Sequence, residues 1–363
     1  MKLAYIPEDS GRRAGGALLL VLGFIMLGSW IVLQFMGRVK SEMAVRGGGD
    51  EAFVARNLAF QALEITIGVL AEIRLLDGGL YNPAQGWGDP LAFAGLAARG
   101  EEDIPTGEEP AAYGEGLDES AAILFPDGFE VEVRIRDESG LLPLNHTSED
   151  RWKHFFELME FSADDALVLT HSLLDWIDRD DRPRLHGAEA ETYMLRSPPY
   201  RPANAPITDL QDLLLIQGFD RLFFDESGVP NELFRTFADH VSVWSEGSVN
   251  MNTAPMLVLQ TLAEDLNFEV DRVVDFLRGS DGDRGTIHDR ILRPGLVEAD
   301  VPRDNRGNLL DFRAESRYLE VDVRVFYGTI TFRLMARLDS TESDPEDIYP
   351  MKIVDIQTWG GKS

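Results

Sequence analysis

"GFEVEVRIRDESGLLPLN", residues 128–145, changes character halfway along its length. Phe129, Val131, Val133 and Ile135 alternate with charged residues, a period of two that predicts a strand with one buried face. The Asp-Glu-Ser-Gly run at 137–140 turns the chain, and beyond it the period becomes helical. "SEDRWKHFFELMEF" (148–161) sets Trp152, Phe155, Phe156 and Met159 on one face behind Ser148 as a helix cap. "SADDALVLTHSLLDWID" (162–178) repeats the pattern with Ser162 as cap and an end near Ile177. "ITDLQDLLLIQGFD" (207–220) predicts a helix from Thr208 to Gly218. "SVNMNTAPMLVLQTLAEDL" (248–266) opens another, capped by Asn252 or Thr253, with Pro255 in a first turn that needs no N–H from it.

Strand character returns late. "RYLEVDVRVFYGTITFRLMARLD" (317–339) reads as a hairpin about Tyr327-Gly328, and "YPMKIVDIQTW" (349–359) as a further strand. A strand, a long helical block and then strands describe an α+β head carrying an inserted α domain. Upstream, Phe53, Leu58, Ala62, Leu63, Ile65, Val69, Leu70 and Ile73 form a broad apolar stripe on a helix, which Gly47 to Gly49 separate from what precedes it. The segment 77–117, rich in Gly, Pro, Asp and Glu, reads as a long loop.

At the front stands "GRRAGGALLLVLGFIMLGSWIVLQFMGRVK", 11–40, uncharged from Ala17 to Met36. About 20 apolar residues at roughly 1.5 Å each match the thickness of a bilayer core. No small-x-small site closes the span, so removal after it is not expected. The flanking charges give only a weak preference for a cytoplasmic N-terminus.

The 363 residues suffice for two or three domains, and the formal net charge of −29 argues against nucleic acid as a partner. There is no cysteine, which excludes disulfides and thiolate metal sites. The six histidines show no metalloprotease spacing, and no nucleophile elbow, phosphate loop or dinucleotide fingerprint is present. The chain does not read as an enzyme.

One acidic turn stands out. Asp175, Asp178, Asp180 and Asp181 crowd together, with Glu189 and Glu191 soon after. Close carboxylates repel, and a calcium ion, which takes about six to eight oxygens, relieves the repulsion. The spacing is not that of an EF-hand, and a solvated acidic turn at a helix end is the plainer reading. "GSDGDRG" (279–285), with Asp281 and Asp283 between glycines, is a second such turn, read first as an ordinary flexible one. "VNMNTAP" (249–255) resembles the opening of a helix-hairpin-helix unit. Without basic residues around it, it reads as packing, with Asn250 and Asn252 tying the backbone.

Taken in order, "GGALLLVL", "DESGLLPLN", "LLDWIDRDDRPRLHGAEAETY", "SPPYRPANAPITDLQDLLLIQGFD", "VNMNTAP" and the closing hairpin resemble the general secretion pathway protein K group. These are the large minor pseudopilins of type II secretion systems, and the likeness runs over most of residues 11–359. It implies a pilin-like long helix on an antiparallel sheet with a large inserted all-α domain. "RRAGGALLLVL" resembles a prepilin leader, cut after Gly15 or Gly16 to leave a methylated Gly16 or Ala17. Leu20, or Val21 for the later cut, stands where most pilins carry Glu. The implied division is 1–15 leader, 16–37 transmembrane helix, 38–144 helix, loop and first strands, 145–300 inserted domain and 301–363 closing strands.

The resemblance further implies a tip subunit held in the inner membrane by a single span, with its C-terminal domain in the periplasm. I- and J-type minor pseudopilins, the major pseudopilin, prepilin peptidase and secreted cargo would be its partners. Leu18, Leu19, Leu20, Phe53, Leu58 and Leu63 are the expected contacts with partner helices. Calcium in the inserted domain, on Asp178, Asp180, Asp181 and Glu189, also follows from it. An unprocessed periplasmic scaffold, or the tip protein of a related type IV pilus, are the alternatives.

Overall fold

The structure, a computed structural model, describes residues 51–96, 126, 128–279, 282, 284, 288–293, 302–307, 315–341 and 351–362. Gly15, Gly16, Ala17, Leu18, Leu19 and Leu20 lie outside the described residues, as do Asp281, Asp283 and residues 97–117 of the acidic segment. Among the described residues no helix is long and apolar enough to cross a membrane.

A four-stranded sheet and one long helix form the first layer pair. β1 (Glu130–Asp137), β4 (Tyr318–Tyr327), β5 (Ile330–Asp339) and β6 (Lys352–Lys362) lie side by side in that order, each pair antiparallel. The hairpin falls where the alternation places it: Tyr327 pairs with Ile330, and Gly328 takes the positive φ of +56° that a tight turn requires. α1 (Glu51–Asp77) packs mainly across β4 and β5. Ala55, Ala59 and Ala62 are fully buried, and such small side chains let a helix lie close to a sheet. Leu58, Leu63 and Leu70 meet Val321, Val323, Val325, Leu334 and Ala336 beneath them. Each leucine buried in this way is worth roughly 2 kcal/mol.

That packing corrects the expected partner surface. Leu58 and Leu63 are 0% and 2% exposed, consumed by the chain's own sheet, whereas Phe53 is 52% exposed. The long-loop reading of 77–117 also fails where the chain is described. A capping box between Asn82 and Gln85 tightens a 3₁₀ turn at Pro83–Gln85, and α2 (Pro90–Phe93) follows it. Leu80 and Trp87 enter the same core as α1. Apolar anchors at this spacing pin a segment whose composition reads as solvent-facing.

A second core belongs to the helical block and gathers residues from Leu142 to Leu292. Its elements are β2 (Leu142–Pro143), α3 (Glu149–Leu158), α4 (Ala163–Ile177), α5 (Ala190–Tyr193), α6 (Phe219–Leu222), α7 (Glu232–Ala238), β3 (Val241–Ser242), α8 (Met256–Leu266) and α9 (Val270–Leu277). β2 and β3 pair in parallel. Trp152, Phe155 and Phe156 of α3 meet Phe219 and Phe237, with Phe156 and Phe237 stacked 6.0 Å apart.

Three local expectations change. Ser148 occupies the cap position of α3 without a side-chain capping bond among the described residues, whereas Ser162 Oγ accepts from Asp165 N at 3.1 Å. The helix expected from Thr208 is instead a 3₁₀ run, Leu210–Leu215, capped by Asp209. Leu210, Leu213 and Ile216 recur every third residue and face the core, which suits three residues per turn better than 3.6. Pro255 itself caps α8, because the side chains of Asn252 and Thr253 are spent elsewhere.

They are spent where the two cores join. Asp137, at the end of β1, accepts from Ser139 N (2.9 Å), Asn250 Nδ2 (2.8 Å), Thr253 Oγ1 (2.6 Å) and Ser316 Oγ (2.7 Å). Asn250 Nδ2 also reaches the Tyr81 carbonyl, and Asn252 both donates to and accepts from the Leu292 backbone. Ser139 Oγ accepts the amides of Arg317 and Tyr318. "DESG" and "VNMNTAP" are thus the two sides of one buried polar knot. The packing role read for Asn250 and Asn252 is the one these bonds display.

Candidate metal centre

α4 ends at Ile177 because Asp178 turns extended, with φ −72° and ψ 170°. The chain then folds back over the helix it has just left. Asp180 accepts from the Arg182 amide at 2.9 Å, an Asx turn. The Arg184 amide reaches Asp175 Oδ2 at 3.0 Å, and His186 N donates to His171 Nδ1 at 3.2 Å. Trp176 meets Tyr193 edge-on at 5.3 Å, and Tyr193 stacks on Tyr200 at 5.3 Å. These rings fasten α5 and the 194–206 loop against the end of α4, which brings Glu189 and Asn204 to the acidic turn.

One carboxylate oxygen each from Asp178, Asp180 and Glu189 lies within 4.8 Å of the others. Glu189 is 3% exposed, and among the described residues neither of its carboxylate oxygens has a hydrogen-bond partner. Asp178 Oδ1 and Asn204 Oδ1 are likewise buried without partners. Burial pushes the Glu189 carboxyl up to about 7, with Asp175, Asp178, Asp181 and Asp180 adding repulsion. Unpaired buried acceptors of this kind are costly, and a hard cation seated among Asp178, Asp180 and Glu189 would satisfy those that it reaches. The donor set fits calcium: oxygens alone, carboxylates in the majority, and one exposed side, at Asp180, open to water.

Asp181 stands outside the group within 4.8 Å and instead accepts from Asn204 Nδ2 at 3.3 Å. The same Nδ2 contacts the Asp180 carbonyl, also at 3.3 Å. Sequence reasoning missed Asn204 altogether. Its signal is faint: an asparagine within "RPANAP" at φ +46°, a conformation that asparagine tolerates better than most residues.

Gly187 is required by this closure. A Cβ there would stand 1.9 Å from Asp175 Oδ2. Gly187→Ala is expected to lower stability by about 2 kcal/mol through overpacking, read as a drop in melting temperature. Gly68→Ala is the control: among the described residues, its own turn of α1 aside, nothing lies within 4 Å of a Cβ added there, and a gain of up to about 1 kcal/mol is expected.

Residues 135–226, which span the end of β1, the acidic turn and α6, match the family model for type II secretion system protein K. It is 31% identical over 167 residues to protein K of Pseudomonas aeruginosa, covering 43% of this chain and 46% of that one. It is 35% identical over 109 residues to protein K of Klebsiella pneumoniae, covering 30% and 27%. The chain thus spans less than half the length of the curated relatives it matches. A solved structure similar to it is from the GspK–GspI–GspJ complex of enterotoxigenic Escherichia coli, with a TM-score of 0.44 and 17% identity over 65% of this chain and 81% of that one.

Proposed function

We propose that this protein K relative is a minor pseudopilin that starts and caps a type II secretion pseudopilus, together with I- and J-type pseudopilins. The observation that carries the reading is where the family match falls. Residues 135–226 straddle the joint at which a bulky helical domain is mounted on a helix-backed sheet. A domain of that bulk suits a filament end better than its body. The apolar run 17–36 would anchor the chain in the inner membrane, with the described domains in the periplasm. The major pseudopilin would lie below it and exported cargo ahead. Exposed Phe53, at the start of α1, is the contact left for partner helices among the described residues expected to serve.

Mass spectrometry of the N-terminus tests this, on protein from a host membrane that contains prepilin peptidase. The expected result is a methylated Gly16 or Ala17 and co-purification with I- and J-type pseudopilins. An intact Met1 would overturn the pseudopilus reading in favour of a plain anchor.

Within this reading calcium is the ion that Asp178, Asp180, Glu189 and the Asn204 amide oxygen would hold, with waters completing the shell. Its chemistry there is structural: it screens the carboxylates from one another and ties α4, α5 and the 194–206 loop together.

A further inference from the structure

Arg184 is the cation already present at this site. Its Nη1 lies 2.6 Å from Asp175 Oδ1 and 2.6 Å from Asp178 Oδ2. Asp175 is fully buried and accepts the Arg184 amide as well, so the arginine is gripped by side chain and backbone together. Behind it, Nε stands 3.6 Å from Glu149 Oε2, in the first turn of α3. Glu149 also faces His171 Nε2 at 3.2 Å, while His171 Nδ1 accepts the His186 amide. The grip on Asp178 is one-sided: Oδ2 is engaged by Arg184, whereas Oδ1 is buried without a partner among the described residues, and one oxygen of Asp178 lies within 4.8 Å of an oxygen each of Asp180 and Glu189.

We infer that Arg184, seated on Asp175 and Glu149, is a positioning residue that turns Asp178 Oδ1 toward a divalent cation held with Asp180 and Glu189. This rests on the calcium reading above. The ion site would be braced by the α3–α4 pair through one guanidinium instead of being assembled from a free loop. Arg184 would also neutralise part of the acidic turn, leaving the carboxylates that face the ion as the ones whose charge it must balance.

The test titrates the full-length chain, in detergent micelles, with calcium chloride by calorimetry, and records the melting temperature of the ion-free protein alongside. Wild type is expected to bind. Arg184→Gln is expected to raise the calcium Kd tenfold or more, in the range of about 10- to 100-fold typical when a partner of a metal ligand is removed. Arg184→Lys should recover most of the loss, since one ammonium nitrogen can sit between the two carboxylates. Asp175→Asn should weaken binding in the same direction by releasing the arginine. Unchanged affinity in a folded Arg184→Gln variant would overturn the positioning role while leaving the ion reading intact. Loss of fold in both Arg184→Gln and Asp175→Asn would make the pair a structural brace only. Failure of wild type to bind calcium would remove the ion and this role together.

Discussion

Asp137→Asn is expected to destabilise the folded chain by about 3 kcal/mol, more than most single substitutions do. The carboxylate receives four donors, and all of its neighbours in the knot point hydrogens at it. An asparagine can offer one oxygen to part of that set, and its NH₂ must then face the rest. The hydroxyls of Thr253 and Ser316 can rotate to accept. The Asn250 amide cannot, because its oxygen already accepts from Asn252. One buried N–H is therefore set against another, and a charge-assisted network loses its charge. Burial raises the Asp137 carboxyl above its ordinary range, opposed by the bonds from Thr253, Ser316, Asn250 and Ser139. The net cost of substitution is that of breaking a buried, fully satisfied centre. In a denaturant melt of the full-length chain, Asp355→Asn on the outer face of the sheet is the comparison, with an expected change within about 0.5 kcal/mol. If the two variants melt alike, the knot does not hold the cores together.

The knot also marks what pattern alone can deliver. Alternation in 129–135 and 318–339 identifies β1 and the β4–β5 hairpin because β4 and β5 bury one face and β1 packs its apolar face, half-buried, against the same core. The stripe of α1 is equally plain, but periodicity reports only that a face is buried, never against what. Leu58 and Leu63 satisfy the same spacing whether they meet a partner helix or Val321 and Leu334, so the partner assignment could not be read from them. The segment after α1 misled for a different reason. Its glycines, prolines and carboxylates dominate the composition, while the residues that anchor it in the core of α1, Leu80 and Trp87 among them, are a small minority.

At the acidic turn the sequence names the carboxylates but not their directions. Asp178, Asp180 and Asp181 are near neighbours along the chain, yet they divide between facing Glu189 and facing Asn204. That division is decided by residues 189 and 204, which arrive through the Trp176–Tyr193–Tyr200 stack. No local spacing encodes such an arrival. The same holds for Asp175, which could pass for one more acid of the cluster until Arg184 is found across it.

Calcium is expected to reverse the sign of the pH dependence of stability. In ion-free buffer Glu189 titrates near 7 in the folded chain, against its ordinary 4.5. Between those values the folded state holds a proton that the unfolded state has released. Raising the pH therefore favours unfolding across that window, and the contribution fully present below 4.5 is lost by about pH 8. Its size is roughly 3 kcal/mol, because each tenfold difference in proton affinity between the two states is worth about 1.4 kcal/mol. Calcium needs the deprotonated carboxylate, so its own stabilisation grows over the same range and reaches about 4 kcal/mol at a thousandfold excess over Kd. At pH 8 the calcium-loaded chain should melt well above the chelated one, and near pH 4.5 the two should converge. Glu189→Gln separates the causes. Without the charge, the ion-free variant at pH 8 should outlast ion-free wild type by up to roughly 3 kcal/mol, while its response to calcium disappears. Superimposable melts of wild type at pH 8, with and without calcium, would dismiss the ion. A pH slope that Glu189→Gln leaves unchanged would place the titration on another group. If both expectations hold, an oxygen cluster that weakens the empty fold at neutral pH becomes, once filled, the tie between α4 and the loop at Asn204.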